Sequence, residues 1–459
     1  MSSNQWLEML PSELHLRILS HLTPHDLSNL ARTCQRFNNI VTPLIWDDIE
    51  LHEEGYHESK HELDVPSPAR DPARRPYHSR QPWGGGQGAE MKAMAFFTML
   101  QTTHKQDFER FEHITKRIRH LCTVVEPSWQ PRTEDYKIID PEGIQVWQLL
   151  PYFSNLETLE LYGNPDYHDE NKEKAFEILG PTPRLRFAKL WGYMPRAVPA
   201  WLLRSGETLE RLELGMLDRP ISTSLTGNPE FTPLPSEKLN ADAEGGDDES
   251  DWGSLDAENV IPRPLGGYLS SYHSDDLVFP KLKHLYLCQP SESSYFDDFN
   301  EYSWSIRAES ACHDDWRRIM QSCVGTLETL VLEQRPAADY IEGDGESELE
   351  WMEGHTTSDA CRALCDMTHG VLAADESLAL KRIYFYGMSV SSSDNRLMSL
   401  LKERGVAREA RLGQWCFFDK SPGVVYWCSW DAASDSENEE DDEDEEDEKM
   451  RWYSLLPID

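Results

Sequence analysis

The sequence predicts an α/β chain: a short helical module at the N-terminus, an irregular array of strands and helices with long inserts, and an acidic disordered tail. Three observations predict it. Residues 7–51 carry apolar side chains at helical spacing. Seven later segments repeat one strand-like pattern between helix-like stretches that end at glycine. Residues 435–448 hold twelve acids in fourteen positions. With 459 residues the chain has room for one large domain or two to three ordinary ones.

In the N-terminal module, Pro11 suits a first helical position, where its missing N–H costs nothing. Leu14, Ile18 and Leu22, at i, i+4 and i+8, line one face. Thr23-Pro24-His25-Asp26 reads as a second helix start, with Thr23 capping, Pro24 at the first position and Asp26 facing the positive end of the dipole. Leu27, Leu30, Cys34 and Phe37 carry the apolar stripe onward. Three helices of roughly ten residues cannot bury such stripes on one another, and modules this small are marginal alone. A partner surface is therefore expected.

The order Leu10-Pro11, Ile18-Leu19-Ser20-x-Leu22, Asp26-Leu27, Cys34-x-x-Phe37 and then Trp46 resembles an F-box, from Leu7 to about Leu51. Phe37, often Trp in that family, stays aromatic. The resemblance implies docking on the Skp adaptor of a cullin-RING ubiquitin ligase. It places Leu10, Pro11, Leu14, Ile18, Leu19, Leu27, Leu30 and Cys34 on the motif that builds the domain and presents it to the adaptor. It also implies that the remainder is a substrate receptor of an SCF-type E3 ligase, that cullin and RING subunits join through Skp, and that the chain supplies no catalytic residue and no cofactor.

After this module (residues 1–50), residues 51–90 turn polar and rich in proline and glycine, which predicts a linker. Arg70, Arg74, Arg75 and Arg80 in it fit a nuclear-localisation or acidic-partner patch, although isolated loop arginines are more often simply solvated. Gly84 to Gly88 lacks the flanking strand and helix of a phosphate loop.

From residue 91 to 430 the pattern L-x-x-L-x-L recurs: Ile118 to Thr123, Leu156 to Leu161, Leu185 to Leu190, Leu209 to Leu214, Leu282 to Leu287, Leu327 to Leu332 and Leu380 to Phe385. The last two apolar positions alternate as in a half-buried strand. Helix-like stretches lie between: Glu170 to Leu179, Val198 to Ser205, Asp314 to Val324 and Asp394 to Arg404. Each is followed by a glycine (180, 206, 325 and 405) suited to a left-handed cap. Strand, helix and glycine in this order resemble a leucine-rich-repeat solenoid, with strands on a curved inner face and helices outside. Successive copies lie 24 to 73 residues apart, and only two of the intervals match a regular repeat. The longest holds residues 218–279, an acidic, Gly- and Ser-rich insertion expected to be disordered.

Gln414 to Phe418 and Val424 to Trp430 flank Asp419-Lys420-Ser421-Pro422-Gly423 and read as a hairpin that caps the array. In the tail (residues 431–459), Ser434 and Ser436 each have a glutamate three positions on, Glu437 and Glu439, the pattern acidophilic kinases prefer. A phosphate at either adds about −1.5 to −2 charges.

A net charge of −38 argues against a nucleic-acid surface, which needs clustered Lys and Arg, and favours a basic target. Nine cysteines without framework spacing, and no basic-then-apolar leader, predict a reduced, intracellular chain, cytoplasmic or nuclear. The absence of an 18-residue apolar run predicts no membrane span.

No Gly-x-Ser-x-Gly elbow, His-Glu-x-x-His helix or phosphate loop is present, so no catalytic residue is expected. Cys361, Cys365 and His369 share a helical stripe, but structural zinc needs a fourth ligand and tighter Cys pairs; buried core is the better reading. On the strands, the residues between or beside the apolar pairs are expected to face the concave side and hold a protein substrate: Tyr162, Lys189, Trp191, Tyr286, Tyr384 and Tyr386, with Glu160, Glu213 and Glu333 interspersed. Two other readings share the motifs: a Skp-binding protein outside the ligase, and a repeat scaffold whose first helices only cap the array.

Overall fold

The computed structural model describes residues 12–19, 21–22, 24–51, 88–125, 144–163, 178–191, 197–215, 277–290, 306–335, 359–375, 378–386, 388, 390, 396–411, 414–418 and 425–429. The proposed phosphorylation sites Ser434 and Ser436, the linker and most of the 218–279 insertion lie outside them.

The N-terminal module is three helices, α1 (Ser12–Leu19), α2 (Pro24–Ala31) and α3 (Gln35–Asp47). Its own core is small: Leu19, Leu27 and Val41 are buried, and Leu22, Leu30, Ile40, Leu44 and Ile45 are partly covered. Cys34 does not continue the apolar stripe. It is the exposed residue before α3, with extended backbone.

Helix α3 runs directly into strand β1 (Asp48–Glu50). The remaining strands are β2 (His120–Val125), β3 (Thr158–Gly163), β4 (Phe187–Trp191), β5 (Arg211–Gly215), β6 (His284–Pro290), β7 (Thr329–Arg335), β8 (Arg382–Tyr386) and β9 (Ala407–Arg411). They form a nine-stranded sheet in strict sequence order, parallel throughout. Helices α4 (Gly88–Gln106), α5 (Phe108–Thr115), α6 (Val146–Leu149), α7 (Ala197–Leu203), α8 (Ile306–Cys323), α9 (Asp359–Ala374) and α10 (Arg396–Glu403) connect them. The expected helix from Glu170 is described only at Ile178 and Leu179, which are not helical.

All seven repeats fall in register. Leu121, Leu159, Ala188, Leu212, Leu285, Leu330 and Ile383 form one row across the sheet, and Thr123, Leu161, Leu190, Leu214, Leu287, Leu332 and Phe385 form the next on the same face. Both rows are buried in the main core, with Trp147, Trp201 and Trp316 from the helical layer. Cys361 and Cys365 of α9 belong to this core, as a buried-stripe reading requires.

Two positions ahead of the first row lies a second pattern. Asp47, Arg119, Glu157, Arg186, Glu210, Lys283, Glu328 and Lys381 enter successive strands with alternating charge, joined N–H to C=O at 2.8–2.9 Å. Arg119 approaches Asp47 at 3.6 Å and Glu157 at 3.9 Å, Arg186 pairs with Glu210 at 2.9 Å, and Lys381 pairs with Glu328. Single exposed pairs contribute little, but this row places opposite charges side by side only when strand order and register are native.

Gly180 and Gly405 have φ of +129° and +68°, whereas Gly206 and Gly325 do not adopt the expected left-handed conformation. Gly206 is there for space: a Cβ would stand 2.7 Å from the Val278 carbonyl oxygen and 3.1 Å from the Phe279 ring. The hairpin is present, β10 (Gln414–Phe418) antiparallel to β11 (Val425–Ser429). Its main contact is between β10 and β7, an interior strand, so it does not simply cap the end of the sheet.

Gly206→Ala should cost about 1–3 kcal/mol in denaturant unfolding, because backbone must move, while Gly325→Ala, with nothing within 4 Å of its Cβ, should be near neutral. The Arg186 guanidinium and the Lys381 ammonium hold the Glu210 and Glu328 carboxyls below the usual range through hydrogen bonds. A depressed folded-state pKa adds stability above the unfolded value of about 4.3 and loses it as pH falls through the folded value. The melting temperature of Glu210→Gln/Glu328→Gln should therefore decline less steeply than wild type as pH drops below that range.

Candidate functional site

Candidate contact residues fall on two surfaces, the outer side of α1 and the sheet face opposite the helices. On α1, Leu14 and Ile18 are 46% and 48% exposed. They stand one turn apart and so share a side of the helix. The module is closed by Leu19 and Leu27 instead, which corrects the expectation that Leu14 and Ile18 take part in that closure. Of the residues expected to build or present the module, Leu19 and Leu27 are interior, Leu30 is half-buried, Leu14, Ile18 and Cys34 are at the surface, and Leu10 and Pro11 lie outside the described residues. Burying a fully exposed branched side chain contributes about 1.5–3 kcal/mol, and covering these half-exposed ones about half as much each, so this pair is a ready apolar contact.

The module is fastened to the sheet by more than one peptide bond. Trp46 and Leu51 pack on the main core, and Ile49 is part of it. The Arg119 amide donates to the Asp47 carbonyl and the Leu51 amide to that of Cys122, each at 2.9 Å. The sheet thus begins inside the range expected for the helical module alone, before the 51–90 stretch.

The opposite sheet face carries a row in which Cys122, Glu160, Lys189, Glu213, Tyr286, Val331 and Tyr384 stand side by side. It differs from the open aromatic surface expected: Lys189, Tyr286 and Tyr384 are 2%, 4% and 6% exposed. Alternation along a strand fixes the face a side chain takes, not whether that face is covered. The side chains of Tyr162, Trp191 and Tyr386 lie outside the described residues. Glu160, Glu213 and Glu333 are buried as well.

Two of the buried carboxylates are matched with cations of the same face. Lys189 Nζ lies 3.6 Å from Glu160, Arg211 Nε donates to Glu213 at 2.8 Å, and the Arg211 guanidinium sits 4.6 Å from the centre of the Phe187 ring. His284, in the neighbouring row, is pushed down by burial and then by the Arg211 cation. Burial, followed by the carboxylates of Glu160, Glu50 and Asp48, pushes the Cys122 thiol well above its ordinary range, so it stays protonated and unreactive. Nearby, Asp48, Glu50 and His120 gather three potential metal-ligand atoms.

A separate polar cluster lies at the C-terminal ends of β6 and β7. His313 of α8 meets Gln289 Oε1 at 2.8 Å, and Gln289 donates to Gln334 at 3.0 Å. Burial, then the Arg317 cation, lowers the His313 pKa to about 4. The neutral ring therefore carries its proton on Nε2, which donates to Gln289.

Removing one member of a buried ion pair leaves the other in a poorly solvating interior. Lys189→Met should destabilise the chain by about 3–5 kcal/mol in urea unfolding, and adding Glu160→Leu should recover part of that loss.

An F-box-like family model matches residues 7–52, which span α1, α2, α3 and β1. No curated protein and no solved structure matches the chain. The helices that expose Leu14 and Ile18, together with the strand that starts the sheet, are thus an F-box-like domain.

Proposed function

We propose that this chain is the substrate-recognition subunit of an SCF-type ubiquitin ligase. The F-box-like domain docks on the Skp adaptor through the Leu14 and Ile18 side of α1, and cullin and RING subunits join through that adaptor. The strand-and-helix domain, read as a degenerate leucine-rich-repeat array, holds the target protein. The observation that carries the reading is the pairing of an F-box-like domain with apolar side chains left exposed on its first helix. Three small helices with a three-residue core have reason to seek a partner surface.

The role requires no catalytic group from this chain. A receptor contributes by holding its target near the transferred ubiquitin, which converts a bimolecular encounter into a positioned one. Continuity of α3 with β1 supports such positioning, since Trp46, Ile49 and Leu51 at the end of the F-box-like domain pack in or on the core of the sheet. The net charge of −38 favours a basic target through complementary potential. The exposed aromatic anchors expected on the inner face are not part of the proposal, because Lys189, Tyr286 and Tyr384 are buried.

Leu14→Asp/Ile18→Asp places two carboxylates on a face that is solvated in the free chain, so folding should be unaffected while docking is lost. Affinity purification should recover Skp and cullin with wild type and neither with the variant, at equal melting temperatures. Wild-type recovery of Skp by the variant would refute this docking face. Skp without cullin on wild type would point to a Skp-bound protein outside the ligase.

A further inference from the structure

Asp48 and Glu50 stand two residues apart on β1 and so share one side of the strand. Asp48 is paired in register with His120 and Glu50 with Cys122, on the same sheet face as the buried charged row. The side chains converge there. His120 Nε2 is 3.8 Å from Asp48 Oδ1 and 3.7 Å from Glu50 Oε1, and one ligand atom of each residue lies within 4.8 Å of the other two.

The His120 ring is held in place. It is buried, and its Nδ1 is engaged by the Thr158 hydroxyl on β3. An imidazole tied at one nitrogen by a neighbouring oxygen, with the other turned toward carboxylates, is the arrangement that metal-bound histidines use. Asp48 and Glu50 are each partly open to solvent, which leaves a path of entry.

The distances leave room for an ion between the three groups. Zinc-type ligands at about 2.0–2.1 Å in a tetrahedron stand about 3.3 Å apart, within about half an ångström of the two His120 separations. A direct N–H···O bond would need about 2.7–3.2 Å. Two carboxylates on one strand face repel each other, and a cation between them reverses the sign of that interaction. One imidazole with two carboxylates suits a zinc-class ion; calcium and magnesium favour oxygen-only shells.

The geometry points to a zinc-class divalent cation site formed by Asp48, Glu50 and His120. It lies where the F-box-like domain ends and the sheet begins, so the ion cross-links β1 to β2 and stiffens the connection between docking module and receptor. This site is independent of the ligase assignment and stands or falls on metal binding.

The test uses the full chain, stripped with a chelator and titrated with Zn2+ by calorimetry, with thermal melts in parallel. Other cysteines, histidines and the acidic tail also attract zinc, so the comparison with variants decides. Wild type should bind one tight equivalent and gain melting temperature with Zn2+. His120→Gln and Asp48→Asn/Glu50→Gln should each weaken that equivalent at least tenfold and abolish the gain. Glu50→Gln alone, at a partly exposed position outside the core, should fold normally and still weaken zinc. Unchanged zinc titration in folded Glu50→Gln and His120→Gln, or no stoichiometric binding by wild type, overturns the site; the close pairs are then an imidazolium held by two carboxylates. Calcium binding as tight as zinc overturns the zinc-class assignment.

Discussion

Register is the constraint on which the rest of this structure depends. In a parallel sheet with one face on a helical core, a one-residue slip turns every side chain of a strand to the opposite side. Here such a slip would move leucines such as Leu212 and Leu214 out of the core and carry Glu213 into it. The stacked apolar rows resist this from inside. The alternating row from Asp47 to Lys381 resists it at the strand entrances, where shifted or reordered strands would set like charges together. Each device is modest per strand; repetition across the sheet makes the specification strong.

The same register ties the N-terminal module to the rest. Because β1 pairs with β2 from Asp48 to Glu50, the F-box-like domain ends as the edge strand of the sheet. The Trp46, Ile49 and Leu51 side chains then belong to the large core, while Leu19, Leu27 and Val41 form a separate small one. The module thus borrows stability from the sheet and leaves Leu14 and Ile18 outward. In the proposed receptor, a docked adaptor and a held target keep a fixed relation, which is what proximity-driven transfer needs.

Much of this was legible in the sequence. Helical spacing placed α1 and α2 but not α3, whose buried face runs through Val41 rather than on from Cys34, and the L-x-x-L-x-L pattern located β2 through β8 with the correct core-facing residues. Strands β1 and β9 escaped: Asp-Ile-Glu offers one buried side chain, and Ala-Arg-Glu-Ala-Arg has no alternating large apolar pair. Edge strands pair on one side only, so local composition constrains them weakly. The charge alternation was in plain view at the second position of every repeat, from Arg119 to Lys381, but it acquires meaning only once those residues are known to be neighbours. The inner-face residues Lys189, Tyr286 and Tyr384 were assigned to the right face and the wrong environment, because coverage is tertiary information. The placement of β10 against β7 was hidden for the same reason.

In the proposed receptor, the F-box-like domain docks the adaptor through α1 while its last strand begins the sheet. Amide hydrogen exchange of the purified chain, with and without a purified Skp adaptor, tests it most directly. New protection should appear in α1 and its neighbours between residues 12 and 47, with β4 through β8 unchanged. Exchange at residues 12–47 that is unaffected by saturating adaptor, or protection confined to the sheet, would contradict it.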